Sequence, residues 1–339
     1  MVNKIGVIGA GNIGGVLVQE LVRRRLAKTV AVTDPAPFVN PNDPPEKQAT
    51  TQKQSVAQGK ALDILEATPI IGSDVAIEAG RDYDVLAGCD LVINTAGVPR
   101  KARPDGTMPS REELLSINLK VTSAVADGIK KYCPNAMVIS IANPLDAIVY
   151  TLHRKLNPPK NKLVGMAGVL DSARYRYFVA DAIGVSVENV EALVLGGHGD
   201  DMVPVRSCCR VAGMPVEQFL SSAELDAIEM RTRKAGGEVV GLLGTGSAFV
   251  SPAISALEMA EAILFDKKRV TAACVLLEGE YGVDGMFVGV PVVLGKNGVE
   301  KVVETQLTDA ERKALDVSVA GVKKTCADVD KMLAETAAA

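Results

Sequence analysis

The sequence has no tryptophan, and aromatic residues make up only 4% of its 339 positions, so the core must be filled by Val, Ile, Leu, Ala and Met. That composition suits strands buried on both faces of a parallel sheet. Excess charge of either sign is also missing: 37 Lys and Arg stand against 41 Asp and Glu, a net charge of −4. Without a strong positive field, neither a nucleic acid nor an anionic membrane is expected as a partner. Cys-x-x-Cys pairs are absent. The six cysteines (89, 133, 208, 209, 274 and 326) are scattered, and adjacent Cys208 and Cys209 are poorly placed for an ordinary disulfide. Reduced, buried thiols in a reducing compartment are expected. The basic, apolar and cleavage-site order of a secretory signal is not seen, because Lys4-Ile5-Gly6-Val7-Ile8-Gly9 opens straight into a strand. The longest uncharged run, Val239–Leu257, is broken by glycines, serines and Pro252, which speaks against a membrane span. A soluble, cytoplasmic protein is expected.

What is present is a large apolar fraction, 47% against 23% charged, which excludes global disorder, and a length that suits two domains. The first half alternates short apolar runs with helical patterns. Strands are predicted at Lys4–Gly9, Thr29–Thr33, Val75–Glu78, Leu91–Thr95 and Met137–Ile141. A helix is predicted over Ile13–Leu26, and another from the capping pattern Ser110-Arg111-Glu112-Glu113 towards Tyr132. Right-handed crossovers between such strands give a Rossmann-type doubly wound parallel sheet, an α/β fold. The second half reads as an α+β domain. Strands are predicted at Lys162–Ala167, Val190–Leu195, Thr271–Leu277 and Gly285–Leu294, with helices near Asp171–Ile183, Ala223–Gly236, Ser251–Leu264 and Thr308–Leu333. The domain boundary is placed near residue 150, giving a nucleotide-binding unit over 1–150 and a substrate-binding, catalytic unit over 151–339. Pro35–Gln58 interrupts the rhythm with five prolines and little apolar periodicity, and reads as a long mobile loop, with a lid or subunit contact as the alternative.

Gly9-Ala10-Gly11-Asn12-Ile13-Gly14 fits GxGxxG, follows a predicted strand and opens a predicted helix. In that context Gly9 permits the tight turn, Gly11 lets the backbone approach a pyrophosphate, and Gly14 lets helix and strand pack closely, while the helix start supplies amide donors. Asp34, at the end of the next strand, is placed to accept hydrogen bonds from ribose hydroxyls and to repel a 2′-phosphate. No Arg or Lys follows it before Lys47, so NAD is favoured over NADP.

Only two histidines are present. His153 lies in a helical stretch beside Arg154 and Lys155 and reads as a surface or packing residue. His198 sits in a glycine-flanked turn after an apolar strand, where an imidazole suits reversible proton transfer. On that loop alone, a structural hydrogen bond accounts for it equally well. The balance shifts with Leu170-Asp171-Ser172-Ala173-Arg174: a carboxylate beside an imidazole stabilises imidazolium and fixes its tautomer. Arg174, one helical turn from Asp171, can bind a carboxylate bidentately. Arg100 and Arg111 bracket a loop at the carboxyl end of the sheet, where ligands bind in open α/β folds. Together these residues describe a site for a small dicarboxylate and a proton-coupled hydride transfer.

The whole set of motifs resembles the lactate/malate dehydrogenase family, most closely its lactate-dehydrogenase-like malate dehydrogenases. They are GAGNIG (9–14), Asp34, NTAGVPRK (94–101), Ser110 to Leu115, Asn118, IANPLD (141–146), GMAGVLDSAR (165–174), GGHGDDMVP (196–204) and GTGSAF (244–249), in the family's order over nearly the whole chain. The resemblance implies an NAD-dependent enzyme interconverting malate and oxaloacetate, the step of the tricarboxylic acid cycle, with no metal required. It implies that His198 is the acid/base, that Asp171 orients and charge-stabilises it, and that Arg174 holds the C1 carboxylate. Arg111 would polarise the C2 oxygen as its loop closes, and Asn143 would bind substrate near the nicotinamide. Thr95, Ala96, Gly97, Asn118, Ile141, Ala142 and Asn143 would line the cofactor beside the glycine motif. Arg100 would pair with the second carboxylate, where lactate enzymes carry Gln. A homo-oligomer is implied, a tetramer before a dimer.

The sequence departs from the family pattern in two places. Pro35–Gln58 is longer than the usual connection, and so is the loop from Arg100 to Arg111, which also contains Arg103. Arg103 is therefore an alternative partner for the second carboxylate. A lactate or broader 2-hydroxy-acid dehydrogenase is the alternative activity, and a non-catalytic NAD-binding protein the alternative class.

Overall fold

The computed structural model describes residues 2–35, 44, 46, 54–98, 110–244 and 246–338, with the main chain only at Arg111 and 336–338. The alternating pattern of the first half becomes β1 (Val2–Ile8), α1 (Asn12–Arg23), β2 (Ala27–Thr33), α2 (Val56–Ile71), β3 (Ala76–Gly80), β4 (Leu91–Asn94), α3 (Arg111–Tyr132), β5 (Met137–Ser140), α4 (Leu145–Leu156) and β6 (Leu163–Gly165). Its strands pair in parallel in the order β3-β2-β1-β4-β5-β6. β4 and β5 are buried at every position, which is why they read as unbroken apolar runs and not as alternations. The order reverses between β1 and β4, the place where a doubly wound topology leaves a crevice at the carboxyl ends of its strands.

The second half contributes α5 (Gly168–Ile183), β7 (Val190–Glu191), β8 (Val194–Leu195), β9 (Val203–Pro204), β10 (Arg210–Val211), β11 (Met214–Pro215), α6 (Ser222–Leu243), α7 (Val250–Leu264), β12 (Arg269–Glu278), β13 (Asp284–Gly295), β14 (Gly298–Val302) and α8 (Asp309–Ala338). β12, β13 and β14 continue the same sheet in antiparallel fashion beyond β6, joined through Cys274 and Gly165. Leu17 and Leu21 of α1, Ala57 of α2 and Leu257 of α7 pack on one face. Val125 of α3, Ile148 of α4 and Val322 of α8 pack on the other. Each fully buried Leu or Ile in these layers contributes about 1.5–3 kcal/mol. Among the described residues no helix is long and apolar enough to cross a membrane.

Three expectations need correction. The run Val190–Leu195 is not one strand: β7 pairs with β10 in one small sheet and β8 with β9 in another. Apolarity marked the segment as buried but carried no information about which partner each half would find. The Lys162–Ala167 strand is shorter, ending at Gly165. Most of the expected Pro35–Gln58 loop lies outside the described residues, but its end, Val56–Gln58, is helical. Ser55 caps α2 there, its Oγ accepting the Gln58 N–H at 3.3 Å. The pattern did not reveal α2 because its apolar residues do not share one stripe. Ala57 and Ala61 are buried, whereas Leu62 and Ile70 face outward.

Candidate active site

The β1–α1 turn shows why glycines stand where they do. Gly9 has φ +95°, and a Cβ on it would lie 2.6 Å from Thr95 Oγ1; one on Gly14 would lie 1.9 Å from the Gly9 carbonyl oxygen. Gly11 caps α1 without any side-chain hydrogen bond, and its own first helical bond comes from Gly15 N–H at 2.9 Å. The amides of Asn12, Ile13 and Gly14 therefore open the helix without intrahelical partners. No atom lies within 4 Å of where a Gly11 Cβ would stand. An open approach to free amides at a positive helix end is what a dinucleotide's diphosphate needs. Asp34, at the end of β2, accepts the Ala10 N–H at 2.5 Å.

Across the crevice, the β4 carboxyl end supplies the opposite wall. Thr95 Oγ1 donates at 3.0 Å to the carbonyls of Ile8 and Gly9, and Asn94 Oδ1 accepts the Ala96 N–H at 3.1 Å. Gly97 lies against Asn118 and Ala142. Buried Asn118 engages both ends of its amide with Val98: Oδ1 accepts the N–H at 2.7 Å and Nδ2 donates to the carbonyl at 3.1 Å. Its polar atoms thus hold the 96–98 segment in place. Ile141 and Ala142, buried after β5, complete this wall, and Asn143 stands exposed beyond them.

One cation at this crevice escaped the sequence pattern. Lys60 reaches from α2 and donates to the Gly11 carbonyl at 2.7 Å. Burial lowers its pKa, partly opposed by the charge of Asp34. The spacing after Asp34 carried no sign of it, because α2 itself was not foreseen.

The second group forms where α5 meets the turn after β8. His198 Nδ1 lies 2.8 Å from Asp171 Oδ2, while Arg174 Nη1 donates to Asp171 Oδ1 at 3.2 Å. Asp171 is only 2% exposed, so one buried carboxylate holds the imidazole and the guanidinium at once. Burial works against the imidazolium. The charge and hydrogen bond of Asp171, joined by the charge of Asp146, outweigh burial and the nearby Arg174, so the His198 pKa is raised. His198 and Arg174 face a cleft of about 530 Å³ that also receives Arg233 and is bordered by Gly236 and Gly237 of α6. A Cβ on Gly236 would stand 3.7 Å from the Arg174 guanidinium. His153, by contrast, sits on α4 with its ring 5.3 Å from that of Phe287, and burial lowers its pKa.

Arg100 and Arg103 lie outside the described residues. Arg111 is the first residue of α3, whose cap Ser110 accepts the Glu113 N–H at 3.0 Å, and only its main chain is described. The structure thus brings His198, Asp171 and Arg174 together and gathers the glycine motif, Asp34 and the 95–97 and 141–143 segments around one crevice. Sequence reasoning missed Asp146, Gly289 and Ser318, which hold the His198 turn from three different elements. The one available signal was Asp146 itself, an acid in the first turn of α4 directly after the IANPL run.

Residues 3–165 match the model of the lactate/malate dehydrogenase NAD binding domain, and residues 168–333 that of the lactate/malate dehydrogenase alpha/beta C-terminal domain. "Malate dehydrogenase 1" of Anaeromyxobacter dehalogenans is 51% identical over 327 residues, 96% of this chain and 97% of that protein. Among solved structures, malate dehydrogenase from Cryptosporidium parvum superposes with a TM-score of 0.87 at 41% identity, covering 98% of this chain and 100% of that one. Lactate dehydrogenase from the same organism, solved with lactic acid and NAD, gives a TM-score of 0.86 at 39% identity over 97% of this chain and 98% of that one. With both of its halves matched and relatives of this identity spanning nearly its full length, the chain belongs to the lactate/malate dehydrogenase family, an NAD-binding domain followed by an α/β C-terminal domain.

Proposed function

We propose that the chain is an NAD-dependent malate dehydrogenase that interconverts (S)-malate and oxaloacetate, with His198 as acid/base. The observation that carries this reading is the Asp171 carboxylate shared by His198 and Arg174 inside the cleft. Arg174 binds the C1 carboxylate and thereby sets C2 against the imidazole. In the reducing direction the imidazolium Nε2 gives its proton to the C2 oxygen; in the oxidising direction neutral His198 takes the hydroxyl proton. Asp171 keeps Nδ1 protonated in both directions, which leaves Nε2 free for exchange with substrate. The amides of Asn12 to Gly14 and the Asp34 carboxylate would hold NAD, which would supply the hydride acceptor or donor when bound. Thr95 to Gly97 and Ile141 to Asn143 would line the cofactor. Arg111 polarises the C2 oxygen and Arg100 pairs with the second carboxylate, with Arg103 as the alternative. A guanidinium facing a methyl group in a closed site would be an unpaired charge, so a three-carbon substrate should be strongly disfavoured.

The division of labour falls after the cofactor-binding unit. The sequence places it near residue 150, and β6, paired in parallel with β5 up to Gly165, carries the parallel sheet past that point. A homo-oligomer is supported by apolar side chains left exposed on α2 and at the end of α6, Leu62, Ile70 and Leu242, and the preference for a tetramer over a dimer rests on the family resemblance alone. Six free cysteines support a cytoplasmic location. The likeness to a structure holding lactic acid favours lactate dehydrogenase as the second reading.

The test is NADH consumption with oxaloacetate and pyruvate in parallel, then with NADPH. A strong preference for oxaloacetate with NADH supports the assignment, whereas equal or faster turnover of pyruvate replaces it with the lactate reading. A His198→Asn variant that binds NADH but does not turn over excludes a non-catalytic role, and undiminished turnover refutes the acid/base assignment.

A further inference from the structure

The turn that carries His198 is held from outside by three main-chain anchors. Gly196 exchanges hydrogen bonds with Gly289 of β13 at 2.8 and 2.9 Å. Gly197 N–H donates to Ser318 Oγ of α8 at 2.9 Å. His198 N–H donates to Asp146 Oδ2 at 3.1 Å. The third differs in kind, because its acceptor carries a charge. Asp146 stands in the first turn of α4, where the helix end favours a carboxylate, and its other oxygen faces Cys274 Sγ of β12 at 3.8 Å. Space at this point is tight: a Cβ on Gly197 would lie 3.1 Å from Asp146 Oδ2 and 2.9 Å from Val322 Cγ2. His198 is therefore gripped by two carboxylates on different helices, Asp171 at the ring and Asp146 at the main chain.

We propose that Asp146 is a positioning residue for the reaction: its carboxylate anchors the His198 main chain so that the ring keeps its alignment between Asp171 and the substrate, and its negative charge supports the imidazolium. The proposal rests on the reading of His198 as acid/base. The groups that act most on His198 are Asp171 and Arg174 from α5 and Asp146 from α4, and the cleft it faces is also lined by Asp200 and by Arg233, Lys234 and Glu238 of α6. Those that face Asp146 are His198, Cys274 of β12, Cys326 of α8 and Asp171. Asp146 also borders a cleft of about 600 Å³ with Asp200, Asp201, Lys324 and Asp328. Burial leaves the Asp146 pKa raised, with the charge and amide of His198 offsetting only part of that effect. Burial pushes the Cys274 thiol well above its ordinary value, so no thiolate competes for the same field. Imidazolium and Asp146 carboxylate thus favour each other's charged forms, which an uncharged anchor such as Ser318 cannot do.

The test uses full-length Asp146→Asn and Asp146→Ala, with kcat measured against pH in both directions and NADH binding followed by fluorescence. Asn retains an acceptor oxygen for the His198 amide but not the charge. Its His-dependent limb should move to lower pH by about half a unit, with turnover at the optimum nearly kept. Ala removes both anchor and charge, and kcat should fall about tenfold or more across the range while the NADH Kd stays within about twofold. Superimposed profiles for wild type and Asp146→Asn, or an unchanged kcat for Asp146→Ala, overturn the proposal. If Asp146→Ala does not fold, the Asp146→Asn limb decides. A wild-type profile that has no His198-dependent limb would instead refute the acid/base reading, a result distinct from failure of the anchor.

Discussion

Replacing Asp171 by Asn tests the charge balance at the centre of the site. The carboxylate lies 2.8 Å from His198 Nδ1 and is almost wholly shielded from water, so solvent screening does not weaken the contact. A hydrogen bond between charged groups in such a setting is worth about 1.5–3 kcal/mol, and one pKa unit corresponds to about 1.4 kcal/mol. The imidazole pKa should therefore fall by about one to two units. Oxaloacetate reduction needs the protonated ring, so at any pH above both values the rate should drop by about ten- to a hundredfold. Malate oxidation needs the neutral ring, and its rising limb should shift to lower pH by the same amount. Stability follows the same sign. Because folding raises the His198 pKa above its ordinary 6.5, the stabilisation is complete below that value and is lost as pH rises through the raised one. The difference in urea midpoint between wild type and variant should accordingly be largest on the acid side and shrink at alkaline pH. Rate profiles for the two proteins that coincide in both directions would refute this account of the pair.

Three further outcomes are expected. Arg100→Gln should move preference from oxaloacetate towards pyruvate by at least about tenfold in kcat/KM, and no shift would transfer the role to Arg103. Gly14→Ala places a Cβ against the Gly9 carbonyl, which cannot step aside as a flexible side chain would, so a loss of about 1–3 kcal/mol in thermal unfolding and weaker NADH binding should appear together. Unchanged melting would contradict the close approach. Lys60→Gln should weaken NADH binding by up to about fivefold at low salt, with the difference fading as salt screens the charge. A salt-independent effect would point to loss of the Gly11 contact and not of charge.

The sequence by itself determined the parts whose signal is local. Apolar runs without alternation marked β4 and β5 as strands buried on both faces, and GxGxxG between a strand and a helix marked the dinucleotide turn, where Gly14 answers to the Gly9 carbonyl five residues before it. The i, i+3 spacing of Asp171 and Arg174 put them on one side of a helix. Tertiary structure decided what depends on distant partners. Whether His198 was a structural turn residue or faced Asp171 could not follow from its loop, since their meeting requires α5 and the turn after β8 to pack together. Val190–Leu195 split between two sheets because strand partners are chosen across the chain. Lys60 came to Gly11 on a helix without a clear apolar stripe, and Asp146 came to His198 from the far side of the turn. Charge contacts of that kind leave no periodicity behind, because a single side chain reaching across a fold has no pattern to repeat.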